Sequence, residues 1–110
     1  MSDRTNGIGW FEISTSDLPA AERFYGDMFG WTFGSDGNSE AYRMVTTPVA
    51  DGLRGGIADN GGTGPQYAIF YVVVDDVDDA CRRAEAAGGK VVLAPQNAPD
   101  GLVFARVVPD

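Results

Sequence analysis

Trp10, Glu12 and Ser14 stand at alternate positions of the run IGWFEIST, residues 8–15. A period of two places them on one side of a strand, with Phe11, Ile13 and Thr15 on the other. Their chemistry is that of a small-molecule contact. An indole stacks a planar or cationic group. A carboxylate pairs with an ammonium, or takes a proton as a general base. A second aromatic run, QYAIFYVVVD over 66–75, brings Ile69, Tyr71 and Val73 at the same alternation.

What is missing narrows the chemistry. The 110 residues include no histidine and one cysteine. Ser-His-Asp and Cys-His nucleophilic mechanisms are therefore excluded, as are zinc sites of four cysteines or of two cysteines and two histidines. A single cysteine forms no internal disulfide, which suits a reducing, cytoplasmic setting. Cys81 falls on the apolar stripe of a helix with no base in view, so it reads as an inert buried thiol. Eight Lys and Arg against 16 Asp and Glu give a net charge of -8. That balance argues against a nucleic-acid partner and suits a cationic ligand, or solubility alone. No apolar run approaches the roughly 20 residues of a spanning helix, and the polar start MSDRTNG carries no signal-peptide core. Gly55-Gly56 and Gly61-Gly62-Thr63-Gly64 lack the spacing of a phosphate loop and read as turns and linker.

The elements that must position these residues follow from local pattern. After the strand at 8–15, Ser16 or Asp17 caps a helix with Pro19 in its first turn. Leu18, Ala21, Phe24, Tyr25, Met28 and Phe29 make its apolar stripe, and Gly30 ends it. Short strands follow at 31–33, 41–46 and 53–58, with a turn at 36–38. DNGGTGP, residues 59–65, is a linker. The run 66–75 is a strand expected to be buried on both faces. Asp76 caps a second helix striped by Val77, Ala80, Cys81, Ala84 and Ala87, which ends at Gly88-Gly89. Strands at 90–93 and 102–108 flank a loop over 94–101.

The two halves superpose at an offset of 59: Asp17 falls on Asp76, Gly30 on Gly89 and Trp10 on Ile69. Each half reads strand, helix, strand, strand, and the first adds a fourth strand. Such a unit leaves one sheet face uncovered, so two copies share a core or a cavity.

This organisation, with the segment SDLPAAERFYGDMFGW and the pair VDDVD and AAGGKV, resembles the vicinal oxygen chelate superfamily of glyoxalases, bleomycin-resistance proteins and extradiol dioxygenases. The resemblance implies an α+β fold of two βαβββ modules, the glyoxalase/bleomycin resistance/dihydroxybiphenyl dioxygenase-like fold. It covers 1–110 as one domain, with a first module at 7–58, a linker at 59–65 and a second module at 66–110. The family continues past this point with a further turn and strand, so the second module is expected to lack its last strand. A second chain completing that sheet makes a homodimer; the alternative is that the sequence stops short of the natural C-terminus.

Active relatives hold a divalent metal with His, Gln or Glu from the first and last strands of each module. The resemblance sets the first-strand positions at Trp10 and Ile69, which cannot ligate, and LRGGIA in the fourth strand offers no ligand. No metal and no other cofactor is expected. The same resemblance turns Trp10, Glu12 and Ser14 inward, opposite Ile69, Tyr71 and Val73, and backs Phe11, Ile13, Phe70, Val72 and Val74 onto the helices. Trp10, Glu12, Ser14, Ile69 and Tyr71 are therefore the expected ligand-binding residues. The alternative is that Trp10 and Tyr71 fill space and that Glu12 pairs with Arg43 or Arg54.

Three functions fit. The first is metal-independent binding or sequestration of an aromatic or cationic small molecule. The second is a lyase- or isomerase-type enzyme with Glu12 as general base. The third is an interaction domain with a filled cleft.

Overall fold

The computed structural model describes residues 5–35, 37, 40–98 and 101–110. The elements run β1 (Ile8–Thr15), α1 (Leu18–Phe29), β2 (Thr32–Ser35), β3 (Tyr42–Thr46), β4 (Gly55–Asp59), β5 (Tyr67–Val72), α2 (Val77–Ala86), β6 (Lys90–Asn97) and β7 (Val103–Val108). The chain divides into two compact units, one up to Val73 and one from Val74 onward. Of the turn expected at 36–38, only Gly37 lies among the described residues.

The first unit is a five-stranded sheet in the order β2-β3-β4-β1-β5 with α1 on one side. β1 runs parallel to β4 and antiparallel to β5. Asp17 caps α1, its carboxylate accepting the Ala20 N–H at 3.1 Å. Gly30 closes the helix in the left-handed conformation, φ 73°, where a β-carbon would be strained. Leu18, Val45 and Ile57 form the buried centre, with Phe11, Ile13, Ala21, Tyr25, Trp31 and Phe33 packed around it. Tyr25 stacks flat on Trp31 at 4.9 Å. The linker is a self-bonded turn. Gly61 N–H and Gly62 N–H donate to the side chains of Asp59 and Asn60, and the Asn60 amide donates to the carbonyls of Gly64 and Pro65.

The β1–β5 ladder brings together positions that the 59-residue offset relates. Phe11 faces Phe70, its own counterpart 59 positions on, while Trp10 faces Tyr71 and Glu12 faces Ile69. The two equivalent strands are thus paired about a local twofold.

β5 departs from expectation. It alternates half-buried and exposed residues rather than being covered on both faces. It is the edge strand of its sheet, and α1 reaches over β2 and β4 instead. Phe70 and Val72, expected against a helix, are 61% and 45% exposed. On α1 the inward stripe is narrower than its pattern: Leu18, Ala21 and Tyr25 pack inward, while Phe24, Met28 and Phe29 are exposed.

In the second unit α2 packs on a two-stranded sheet of β6 and β7. Asp76 caps α2 through the Asp79 N–H, and Cys81 is buried. Among the described residues this unit has only two strands, short of the family's full module. β6 continues through Asn97, so the loop expected from 94 begins four residues later. Pro95 is accommodated because the ladder slips between Leu93 and Gln96, releasing the N–H that proline lacks.

Candidate functional site

The register collects one set of side chains on the sheet face away from α1. Glu12 lies beside Gly56 on β4 and Ile69 on β5. Met44 of β3 also pairs with Gly56, and Tyr42 pairs with Ala58. Residues two apart share a face. Trp10, Glu12 and Ser14 therefore stand with Tyr42, Met44, Gly56, Tyr67, Ile69 and Tyr71. The opposite face carries Phe11, Ile13, Val45 and Ile57 into the core.

A hydrogen-bonded chain links four of these residues. The Trp10 indole N–H donates to the Tyr42 hydroxyl at 3.0 Å, and that hydroxyl donates to Glu12 Oε1 at 3.3 Å. The Tyr67 hydroxyl donates to Glu12 Oε2 at 3.2 Å. Glu12 is 8% exposed, so each carboxylate oxygen meets a phenol in a largely dry setting. Both contacts are longer than the ~2.7 Å of a tight hydroxyl–carboxylate bond.

Glycine makes the arrangement possible. A β-carbon on Gly56 would fall on the Tyr42 phenol, and one on Gly55 would stand 2.5 Å from the Phe11 ring. The two glycines of β4 thus admit an aromatic ring on each face of the sheet.

Burial pushes the Tyr42 hydroxyl up to about 12. The indole donation from Trp10 works against this, and the negative charge of Glu12 adds to it. The folded protein therefore holds the proton more tightly than the unfolded chain. The stabilisation is complete below pH 10 and is lost as pH rises through about 12. Tyr42→Phe is expected to shrink the alkaline loss of stability in this window, measured by circular dichroism against pH. An unchanged alkaline limb overturns the assignment.

Of the residues expected at the site, Trp10 and Glu12 are joined through the Tyr42 hydroxyl. Ile69 and Tyr71 share their face, in register with Glu12 and Trp10. Ser14 is 5% exposed and is tied to the linker turn, donating to Pro65 O at 3.0 Å and accepting from Asn60. The arginines considered as partners for Glu12 are engaged elsewhere: Arg43 meets Glu22 at 3.3 Å, and Arg54 donates to the Thr46 hydroxyl. Tyr42 and Tyr67 complete the site. Tyr67 shares the parity that selects Ile69 and Tyr71, whereas Tyr42 arrives through the β3–β4 register. A separate groove of about 530 Å³ lies beside α1, lined by Ile13, Ala21, Phe24, Tyr25 and Gln66, and it touches the site only through Ser14 and Tyr67.

The family model described as Glyoxalase/Bleomycin resistance protein/Dioxygenase superfamily matches residues 7–108. The chain belongs to this superfamily. It is 30% identical over 105 residues to the anthracycline biosynthesis protein DnrV of Streptomyces peucetius, covering 80% of this chain and 38% of that protein. It is 29% identical over 124 residues to the anthracycline biosynthesis protein DauV of Streptomyces sp. (strain C5), covering 87% and 44%. The chain thus spans about four-tenths of the length of these curated relatives. The crystal structure of methylmalonyl-CoA epimerase from Mycobacterium tuberculosis aligns over 99% of this chain and 84% of that one, with a TM-score of 0.57 and 16% identity, a likeness of fold. The superfamily scaffold hosts many chemistries, so function rests on the site.

The superfamily's divalent metal does not fit the donors present. Glu12 is the one carboxylate in the cluster, and its neighbours Trp10, Tyr42, Tyr67 and Ile69 are neutral. Among the described residues no three His, Cys, Asp or Glu side chains are grouped to hold an ion. No helix among them is long and apolar enough to cross a membrane.

Proposed function

We propose that this protein is a cytoplasmic, homodimeric binding protein that takes up a planar aromatic compound without a metal. The ring lies over Trp10 and Tyr71, and a ligand hydroxyl meets the Glu12–Tyr42–Tyr67 cluster. The observation that carries the reading is the buried carboxylate held between two phenols, one of which accepts from the Trp10 indole. A dry acceptor flanked by donors recognises hydroxyl groups, and aromatic walls supply most of the contact area. The anthracycline biosynthesis named for two relatives supports an aromatic ligand.

A second reading makes Glu12 a general base in a lyase- or isomerase-type proton transfer. Its place as the carboxylate among neutral aromatic side chains favours this reading, because it is the group positioned to take a proton from a bound carbon acid. Under that reading Glu12→Gln stops proton exchange and spares binding.

Native mass spectrometry with alizarin, a planar dihydroxyanthraquinone, tests the proposal. The expected species is twice the 11.7 kDa chain, free of divalent metal, with one probe per chain. The change in visible absorbance of alizarin on binding should give the affinity, weakened about tenfold or more in Trp10→Ala. One metal ion per chain, or affinity unchanged in Trp10→Ala, overturns the reading.

A further inference from the structure

The loop from β3 to β4 encloses a pocket of about 110 Å³ lined by Thr46, Thr47, Gly52 and Arg54, with Val49 and Ala50 at its wall. Arg54 is exposed and donates through one guanidinium nitrogen to the Thr46 hydroxyl at 3.2 Å. No described carboxylate pairs with it, although Arg43, Arg82 and Arg83 all have acidic partners in this acidic chain. The Thr47 hydroxyl faces the space over Gly52, where a β-carbon would come within 2.9 Å of it. The missing side chain at 52 therefore keeps hydroxyl and guanidinium in one opening. Arg54 retains further donors in a planar fork, the geometry that matches a carboxylate in two parallel bonds.

The pocket lies on the same sheet face as the aromatic cluster. Thr46 has the parity of Met44 and Tyr42, and Arg54 that of Gly56, the residue beside Glu12. Two residues along an extended strand span about 7 Å, roughly the length of one aromatic ring with its substituent.

We infer that the Thr46–Thr47–Arg54 pocket is a carboxylate subsite, so that the ligand is an aromatic acid. The placement of its ring rests on the function proposed above; the subsite rests on the pocket alone. With a net charge of -8, the protein as a whole repels an anion, so preference for an acid must come from a local cation.

Two titrations separate the subsite from the ring site. The first compares 6-hydroxy-2-naphthoate with 2-naphthol by isothermal titration calorimetry. The acid is expected to bind about tenfold more tightly, and Arg54→Gln to erase that preference while leaving 2-naphthol unchanged. Equal affinities, or a preference that survives Arg54→Gln, overturn the subsite and leave the ring site standing. The second titrates acetate against the nitrogen-15 spectrum. Saturable shifts confined to the Arg54 side chain and the amides of 46–54, absent from Arg54→Gln, are expected. Shifts that do not saturate, or that Arg82 and Arg83 share equally, overturn the subsite. If neither naphthalene probe binds, the ring reading fails and the acetate titration alone decides the subsite.

Discussion

Gly56→Ala is expected to destabilise the fold by about 1–3 kcal/mol and to dismantle the Glu12 cluster. The new β-carbon falls on the Tyr42 phenol. Tyr42 cannot retreat by sliding its strand, because Arg43, Met44 and Val45 are fixed in register against Ile57, Gly56 and Gly55. The ring must swing off the sheet, and it takes with it the bonds to Trp10 and Glu12. The sign of the effect is diagnostic. A glycine-to-alanine change in an unobstructed strand stabilises by about 0.4–1 kcal/mol, since the unfolded chain loses freedom. A lower urea midpoint, joined by a return of the Tyr42 titration from about 12 toward 10, identifies the clash as the cause. A raised midpoint with the Tyr42 titration unchanged overturns the account.

The same residues show what a sequence discloses. Alternation within β1 separates Trp10, Glu12 and Ser14 from Phe11 and Ile13, and the structure keeps that separation. The helix caps Asp17 and Asp76 are local and equally legible. Tyr42 is different. Its place against Glu12 depends on how β3 registers on β4, and no local pattern states that register. Gly55-Gly56 falls in the strand expected over 53–58, but the reason for two glycines there is hidden until the ring on each face is seen. The apolar run in β5 predicts burial on both faces, but its position at the sheet edge leaves Phe70 exposed within its own unit. Pro95 reads as loop, and a slipped ladder lets it remain in β6. In each case the property belongs to a neighbouring strand, or to the lack of one, rather than to the segment itself.

Removing the carboxylate gives the second large effect, and two replacements divide its causes. Glu12→Leu keeps a similar volume and deletes the acceptor for both Tyr42 and Tyr67. A buried donor deprived of its partner costs about 1–3 kcal/mol, so two lost acceptors make a loss of about 3 kcal/mol the expected result in urea denaturation. Glu12→Gln keeps one carbonyl oxygen for one phenol and turns an amide N–H toward the lone pair of the other. Its expected cost is about 1 kcal/mol. The order wild type, Gln, Leu therefore measures acceptor loss rather than charge loss. Adding Tyr42→Phe to Glu12→Leu should restore part of the stability, because it removes the stranded hydroxyl; the two changes are coupled and not additive. The opposite order carries equal information. A buried charge replaced by a hydrophobe can stabilise a protein. If Glu12→Leu is as stable as wild type or more so, the fold does not need the carboxylate. Its burial beside Trp10 is then a cost borne for the ligand, and binding of the aromatic probe should fall in Glu12→Leu while stability does not.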